Sequence, residues 1–190
     1  MMKQNYQVIG MLMLALTMVV GCGGDAAYEE PAEAAATEAV ETMAEAIPLD
    51  PAVAQMQADC AAAADAMAAR QAESSLYDRL GGRDAIFAVT TDVVRRHREN
   101  PTIVHLMEGV DDERLIAQVT DFLSQGSGGD VEYHGMNMVD AHARFEMTDE
   151  YFLSAGGDVQ AAMQAAGVGE EEIQEMMCMF ASLRDEVVNK

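Results

Sequence analysis

Tyr133-His134-Gly135-Met136-Asn137-Met138-Val139-Asp140-Ala141-His142-Ala143-Arg144-Phe145 is the stretch on which the reading of this chain turns. Read as a short helix after Gly135, it places Met138, Ala141, His142 and Phe145 on one face. That face is apolar but for one imidazole. An imidazole on an apolar wall has two readings: the axial iron ligand of a haem, or a core histidine with one ring nitrogen bonded to a backbone carbonyl. Spacing alone favours the second, because histidine is often found partly buried.

On either side of this stretch the pattern is helical. Leu76, Tyr77 and Leu80 suit a short helix stopped by Gly81-Gly82. Asp84 to Arg98 reads as a second helix, with Ile86, Val89 and Val93 at i, i+3, i+7 and Pro101 ending it. Thr102 to Gly109 connects, carrying His105, Leu106 and Met107. Asp111 or Asp112 can cap a third helix through about Ser124, with Leu115, Val119 and Phe122 on one stripe. Gln125 to Gly129 is a glycine-rich break without the lysine or preceding strand of a phosphate loop. Thr148 caps the next helix, through Phe152, Ala155, Val159 and Met163 to near Gly167. The last begins after Gly169, where Glu170 to Glu172 complement its positive start, and Ile173, Met176, Met177, Phe180 and Val187 form its apolar stripe. No stretch alternates as a strand, so the domain is expected to be all-α.

The first 74 residues differ in kind. Lys3 precedes an apolar run, Val8 to Val20, that is too short for a membrane span of about 20 residues. Residues 1–21 therefore read as an export signal. Val19-Val20-Gly21-Cys22 resembles a bacterial lipobox, whose cysteine is lipidated and becomes the anchor. Gly23 after that cysteine, rather than an aspartate, implies the outer membrane where a cell has two. Residues 22–74 read as a disordered or partly helical tether, rich in Ala and Glu and broken by Pro31, Pro48 and Pro51. Within it, Pro51 to about Ala72 can be helical, capped by Asp50, yet its alanine face predicts weak packing.

Charge removes one class of partner. The net charge is −22, spread along the chain, with 11 acids against Arg70 alone in residues 23–73 and 22 acids against 9 bases beyond. Such a chain repels nucleic acid and anionic headgroups. Three cysteines, Cys22, Cys60 and Cys178, form no C-x-x-C pair. Cys60 and Cys178 are left open between free thiols and a bridge formed in an oxidising compartment.

Residues 75 to about 188 resemble a truncated haemoglobin of group I. The features that carry this are Leu76-Tyr77-Asp78-Arg79-Leu80-Gly81-Gly82, then Phe122-Leu123, the pair Gly128-Gly129, and Tyr133-x-Gly135-x-x-Met138-x-x-Ala141-His142. The resemblance implies a truncated globin-like helical sandwich over 75–190 holding haem b. It makes His142 the axial ligand, with its other ring nitrogen donating to a carbonyl or carboxylate. Met138 and Phe145 would lie against the porphyrin, and Phe122 and Val119 would face its other side. The implied ligand is a diatomic gas: oxygen, nitric oxide or carbon monoxide.

The distal side departs from the family's pattern. The tyrosine usual on the second helix is replaced by Val94. The third-helix positions that often carry polar groups are Leu115 and Val119, leaving Gln118 as the one donor there. The usual phenylalanine pair of the connecting segment is Leu106-Met107. Without a hydrogen-bond donor, retention of oxygen is expected to be weak. Two rivals follow from the same residues. One is a nitric oxide dioxygenase or peroxidase-like enzyme served by an unidentified reductase. The other is a haem-free interaction or sensory module. Among the other histidines, His97 is expected to be a solvated cation at a helix end. His105 reads as a loop residue rather than a second axial ligand, and His134 as a surface residue. No zinc or hydrolase pattern stands out.

Overall fold

The computed structural model describes residues 47–190. The expected signal peptide, Cys22 and most of the acidic tether lie outside them. Among the described residues all regular structure is helical. α1 spans Pro51–Glu73, α2 Leu76–Arg79, α3 Gly82–Glu99, α4 Asp112–Gly126, α5 Met138–His142, α6 Asp149–Ala165, α7 Glu170–Ser182 and α8 Arg184–Val187, with a 3-10 turn at Val104–Met107 between α3 and α4.

Local chemistry sets most of these boundaries. The N-cap side chains Asp50, Ser75, Asp111, Asn137 and Thr148 each accept a backbone N–H of the first turn of the helix they precede, satisfying a donor that helix geometry leaves without an intrahelical partner. Gly81 and Gly82 both take positive φ, 93° and 78°. The turn from α2 into α3 therefore needs residues without a Cβ. Gly167, at φ 75°, closes α6, while Val168 N–H donates to Met163 O at 3.1 Å, as in a Schellman ending.

The core is built from Leu76, Ile86, Val93, Leu123, Val159, Ala162, Met163, Ile173 and Met176. α3 packs against both α4 and α6, and α6 packs against α7. On α4 the fully buried residues are Thr120, Leu123 and Ser124. The stripe of Leu115, Val119 and Phe122 is only half-buried, with Val119 and Phe122 packed against the core's edge.

Three features differ from expectation. First, α1 buries only Val53, as its alanine face implied, yet it is fastened to the domain. Cys60 is bridged to Cys178 on α7, with 5.5 Å between the Cα atoms. Arg70 Nε donates to Glu175 Oε1 at 2.6 Å, and Asp50 N–H donates to Asp149 Oδ2 at 3.0 Å. The alanine face is supplemented by attachments to residues far along the chain. Second, the final helix is broken. Leu183 N–H donates to Phe180 O at 2.9 Å, a tightened turn, and the redirected α8 lets Arg184 reach Asp149 through two 2.8 Å bonds. Third, α5 stops at His142. Phe145 lies in the bend beyond it, so it does not continue the helical face. Its ring sits 4.5 Å beneath the Arg144 guanidinium.

Among the described residues no helix is long and apolar enough to cross a membrane.

Candidate functional site

α5 brings His142 to its last turn, where Nδ1 lies 2.8 Å from the carbonyl oxygen of Met138. A carbonyl can only accept, so the proton of a neutral imidazole sits on Nδ1. The lone pair is then on Nε2, and no group among the described residues hydrogen-bonds that nitrogen. The ring is thus held in one tautomer with Nε2 free, the arrangement second-shell bonding gives to metal-binding histidines.

The surrounding wall is apolar and incompletely covered. No residue of α5 is buried, although it carries Met138 and Val139. Leu115, Gln118, Val119 and Phe122 of α4, and Phe145 beyond α5, are also half-buried. A segment between Gly129 and Asn137 joins the two helices and is tied to α4 at several points. Tyr133 N–H donates to Gln125 Oε1 at 2.7 Å, its hydroxyl donates to Met136 O at 2.8 Å, and its ring meets Phe122 edge-on, 5.3 Å between centroids. Burial pushes the Tyr133 hydroxyl above the usual phenol value. A Cβ at Gly135 would collide with the Tyr133 hydroxyl and the Gln118 amide oxygen. The glycine allows the segment to lie flat against α4, and spacing alone does not reveal this.

The positions named for the distal side are interior ones. Val94 is 4% exposed and Met107 6%, whereas Leu106 is half-buried. The connecting segment is latched to α3 by Arg98, which donates to Met107 O at 2.6 Å and Val110 O at 2.9 Å and pairs with Asp112. Thr120 and Ser124 bury hydroxyl oxygens that find no protein partner, but they lie on the core face of α4.

The remaining histidines sort themselves by contact. His105 stacks edge-on against Tyr151, with centroids 5.2 Å apart. His134 is exposed, 3.7 Å from Glu132. The expectation for His97 is corrected: it stands in the last turn of α3 but its ring is not solvated. Its Nδ1 lies 2.8 Å from Asp158 Oδ2, and the same oxygen accepts from Asn100 Nδ2 at 2.9 Å. The partner sits 61 residues away on α6, out of reach of any local reading.

The donor set fits a haem. Among the described residues no cluster of three or more His, Cys, Asp or Glu side chains could hold a bare metal ion. A single imidazole with a free Nε2, on an apolar wall that the protein leaves half covered, suits a flat apolar group bringing four of its iron ligands with it.

Known proteins point the same way. The family model described as bacterial-like globin matches residues 75–189. A group 1 truncated haemoglobin of Mycolicibacterium paratuberculosis is 29% identical over 119 residues, spanning 62% of this chain and 88% of the relative. One from Tetrahymena pyriformis is 25% identical over 116 residues, 61% of this chain and 96% of the relative. The crystal structure of the Tetrahymena pyriformis truncated haemoglobin in its Fe(III) form superposes with a TM-score of 0.60 at 25% identity, covering 62% of this chain and all of that one. The chain belongs to the bacterial-like globin family, and within it to the group 1 truncated haemoglobins.

Proposed function

We propose that residues 75–190 bind haem b through Nε2 of His142 and take up a diatomic gas on the opposite face. The single observation that carries this is the Nδ1–Met138 bond at 2.8 Å, which leaves Nε2 as a free lone pair on a wall where no residue of α5 is buried. Haem, when bound, would supply the iron that holds the gas. The chain's own residues do the rest. Met138 O fixes the tautomer and raises the basicity of the ligating nitrogen. Phe122, Leu115, Val119 and Phe145 present apolar surface to the macrocycle. Val94, Leu115 and Val119 offer no donor to a gas ligand, and Leu106 and Met107 add only apolar surface. The one polar side chain of the set, Gln118, lies with its amide oxygen against Gly135 in the segment ahead of α5. Oxygen retention is therefore weak, while carbon monoxide and nitric oxide, which depend less on a donor, are held comparatively well.

The same proposal extends to location. The disulfide between Cys60 and Cys178 supports folding in an oxidising compartment, since such bridges are rare in reducing ones. That agrees with export under the N-terminal signal and anchoring through a lipidated Cys22. The stretch ahead of α1 would serve as the tether, and a reductase that keeps the iron ferrous would be a partner in the same compartment.

The test is haem titration of the full chain followed in the Soret region. Wild type should bind one equivalent with a sharp band, and His142→Ala should lose most of the affinity and the histidine-ligated spectrum. An unchanged spectrum in the variant would refute the assignment.

A further inference from the structure

We infer that Asn189 is a positioning residue for the histidine-bearing segment; this rests on the haem reading above. α5 carries His142 but buries none of its own residues, so its placement has to come from outside. The element it chiefly packs on is α8. Past α8 the chain runs alongside residues 142–147, and Asn189 grips that stretch with both ends of its amide. Nδ2 donates to Phe145 O at 3.0 Å and, more loosely, to His142 O at 3.4 Å. Oδ1 accepts from Met147 N–H at 3.0 Å. The backbone N–H groups of Asn189 and Lys190 both donate to Met147 O, at 3.0 and 3.1 Å.

The effect is to brace the helix turn that follows His142, while the Met138 carbonyl braces the ring from the turn before it. Rotating α5 about its axis would strain the Asn189 bonds, which come from outside the helix, whereas the Met138 bond lies within α5 and turns with it. The brace is itself anchored. Arg184, at the start of α8, makes two 2.8 Å bonds to Asp149, and Asp149 also accepts the Asp50 N–H ahead of α1. A continuous line of hydrogen bonds and packed helix thus leads from the cap of α1 to the backbone of the proposed iron ligand. The side chain at 189 must offer a donor and an acceptor on one short planar group, which among the side chains of that length only asparagine does. Aspartate keeps the acceptor for Met147 and loses the donor for the two carbonyls; alanine loses both.

The experiment uses the full chain with Asn189→Ala, Asn189→Asp and, as a control that keeps the backbone bonds of the tail and removes only the exposed 3.6 Å ion pair to Glu146, worth little in water, Lys190→Ala. Amide hydrogen exchange is read on the haem-free protein. Haem loss to a scavenger and the iron–histidine stretch of the ferrous form are read on the loaded one. Asn189→Ala should lower protection of the Met147 amide about tenfold, the worth of one hydrogen bond, speed haem loss several-fold and shift the stretch. Asn189→Asp should keep Met147 protected yet still shift the stretch, because the carbonyl side is released. Lys190→Ala should match wild type in all three. Asn189→Ala with unchanged Met147 protection and an unchanged stretch would overturn the inference, as would an Asn189→Asp stretch identical to wild type. Failure of the haem reading looks different: wild type takes up no haem, or His142→Ala keeps the full spectrum. In that case the Met147 exchange alone decides whether Asn189 holds the segment.

Discussion

Replacing Cys60 and Cys178 with serine should reduce the stability of this domain by about 5 kcal/mol. The two cysteines are 118 residues apart, so the bridge closes nearly the whole of the described chain. Loop-closure entropy removed from the unfolded ensemble grows with the logarithm of loop length, and a loop of this size corresponds to about 16 cal/mol/K, or about 5 kcal/mol at room temperature. For a domain of this size each kcal/mol moves the thermal midpoint by about 3 °C, so the variant should melt about 15 °C lower. Urea unfolding of oxidised wild type, wild type under dithiothreitol and the double-serine variant measures this directly. The last two should coincide, since both lack only the bridge. The residual attachments of α1, Arg70 to Glu175 and Asp50 to Asp149, should keep the helix docked at neutral pH in the absence of denaturant. A loss below about 1 kcal/mol, or a reduced wild type as stable as the oxidised one, would refute the reasoning. Either result would mean that the unfolded chain does not lose the freedom assigned to it.

Other outcomes follow from the same geometry. Arg184 beside Asp149, helped by the Asp50 N–H, holds the Asp149 carboxyl below the usual carboxylate value. A depressed folded value means the stabilisation is complete above the unfolded carboxylate value of about 4 and is lost as pH falls through the lower folded one. Urea midpoints should therefore hold between pH 7 and 5 and drop below pH 4, and Asp149→Asn should flatten that drop while costing about 1–3 kcal/mol at pH 7, because the buried Arg184 then keeps only Asp185 as a charged partner. Gly135→Ala should cost about 1–3 kcal/mol, because the methyl group meets Tyr133 and Gln118; an unchanged unfolding midpoint would show that the segment relaxes freely. Val94→Tyr, which introduces a donor at a position now 4% exposed, should slow oxygen dissociation by about tenfold or more, the worth of a hydrogen bond to a charged acceptor, and leave carbon monoxide release nearly unchanged in flash photolysis.

The capping residues Asp50, Asp111 and Thr148, the glycine stops at 81–82 and 167, and the isolated imidazole at 142 were all legible from the chain. Each acts within one turn of its own position, where residue type and spacing decide the outcome. The same holds for the donor-poor character of Val94, Leu115 and Val119, a matter of which atoms a side chain carries. Other features could not be read that way. His97 looks like a solvated helix-end residue until Asp158 is brought beside it from α6. Val187 looks like the continuation of one stripe until Arg184 turns the chain toward Asp149.

By itself, then, the sequence determined an all-helical domain and most of the places where its helices start, and it marked His142 as the candidate haem ligand. Tertiary structure alone decided which cysteine and which carboxylates hold α1 in place, which face of α4 stays uncovered, and that Asn189 reaches the backbone of His142. The physical reason is range. Caps and turns are settled by bonds across two to four residues, whereas these pairings join groups 35 to 118 positions apart, and their energies are felt only after packing has brought them together.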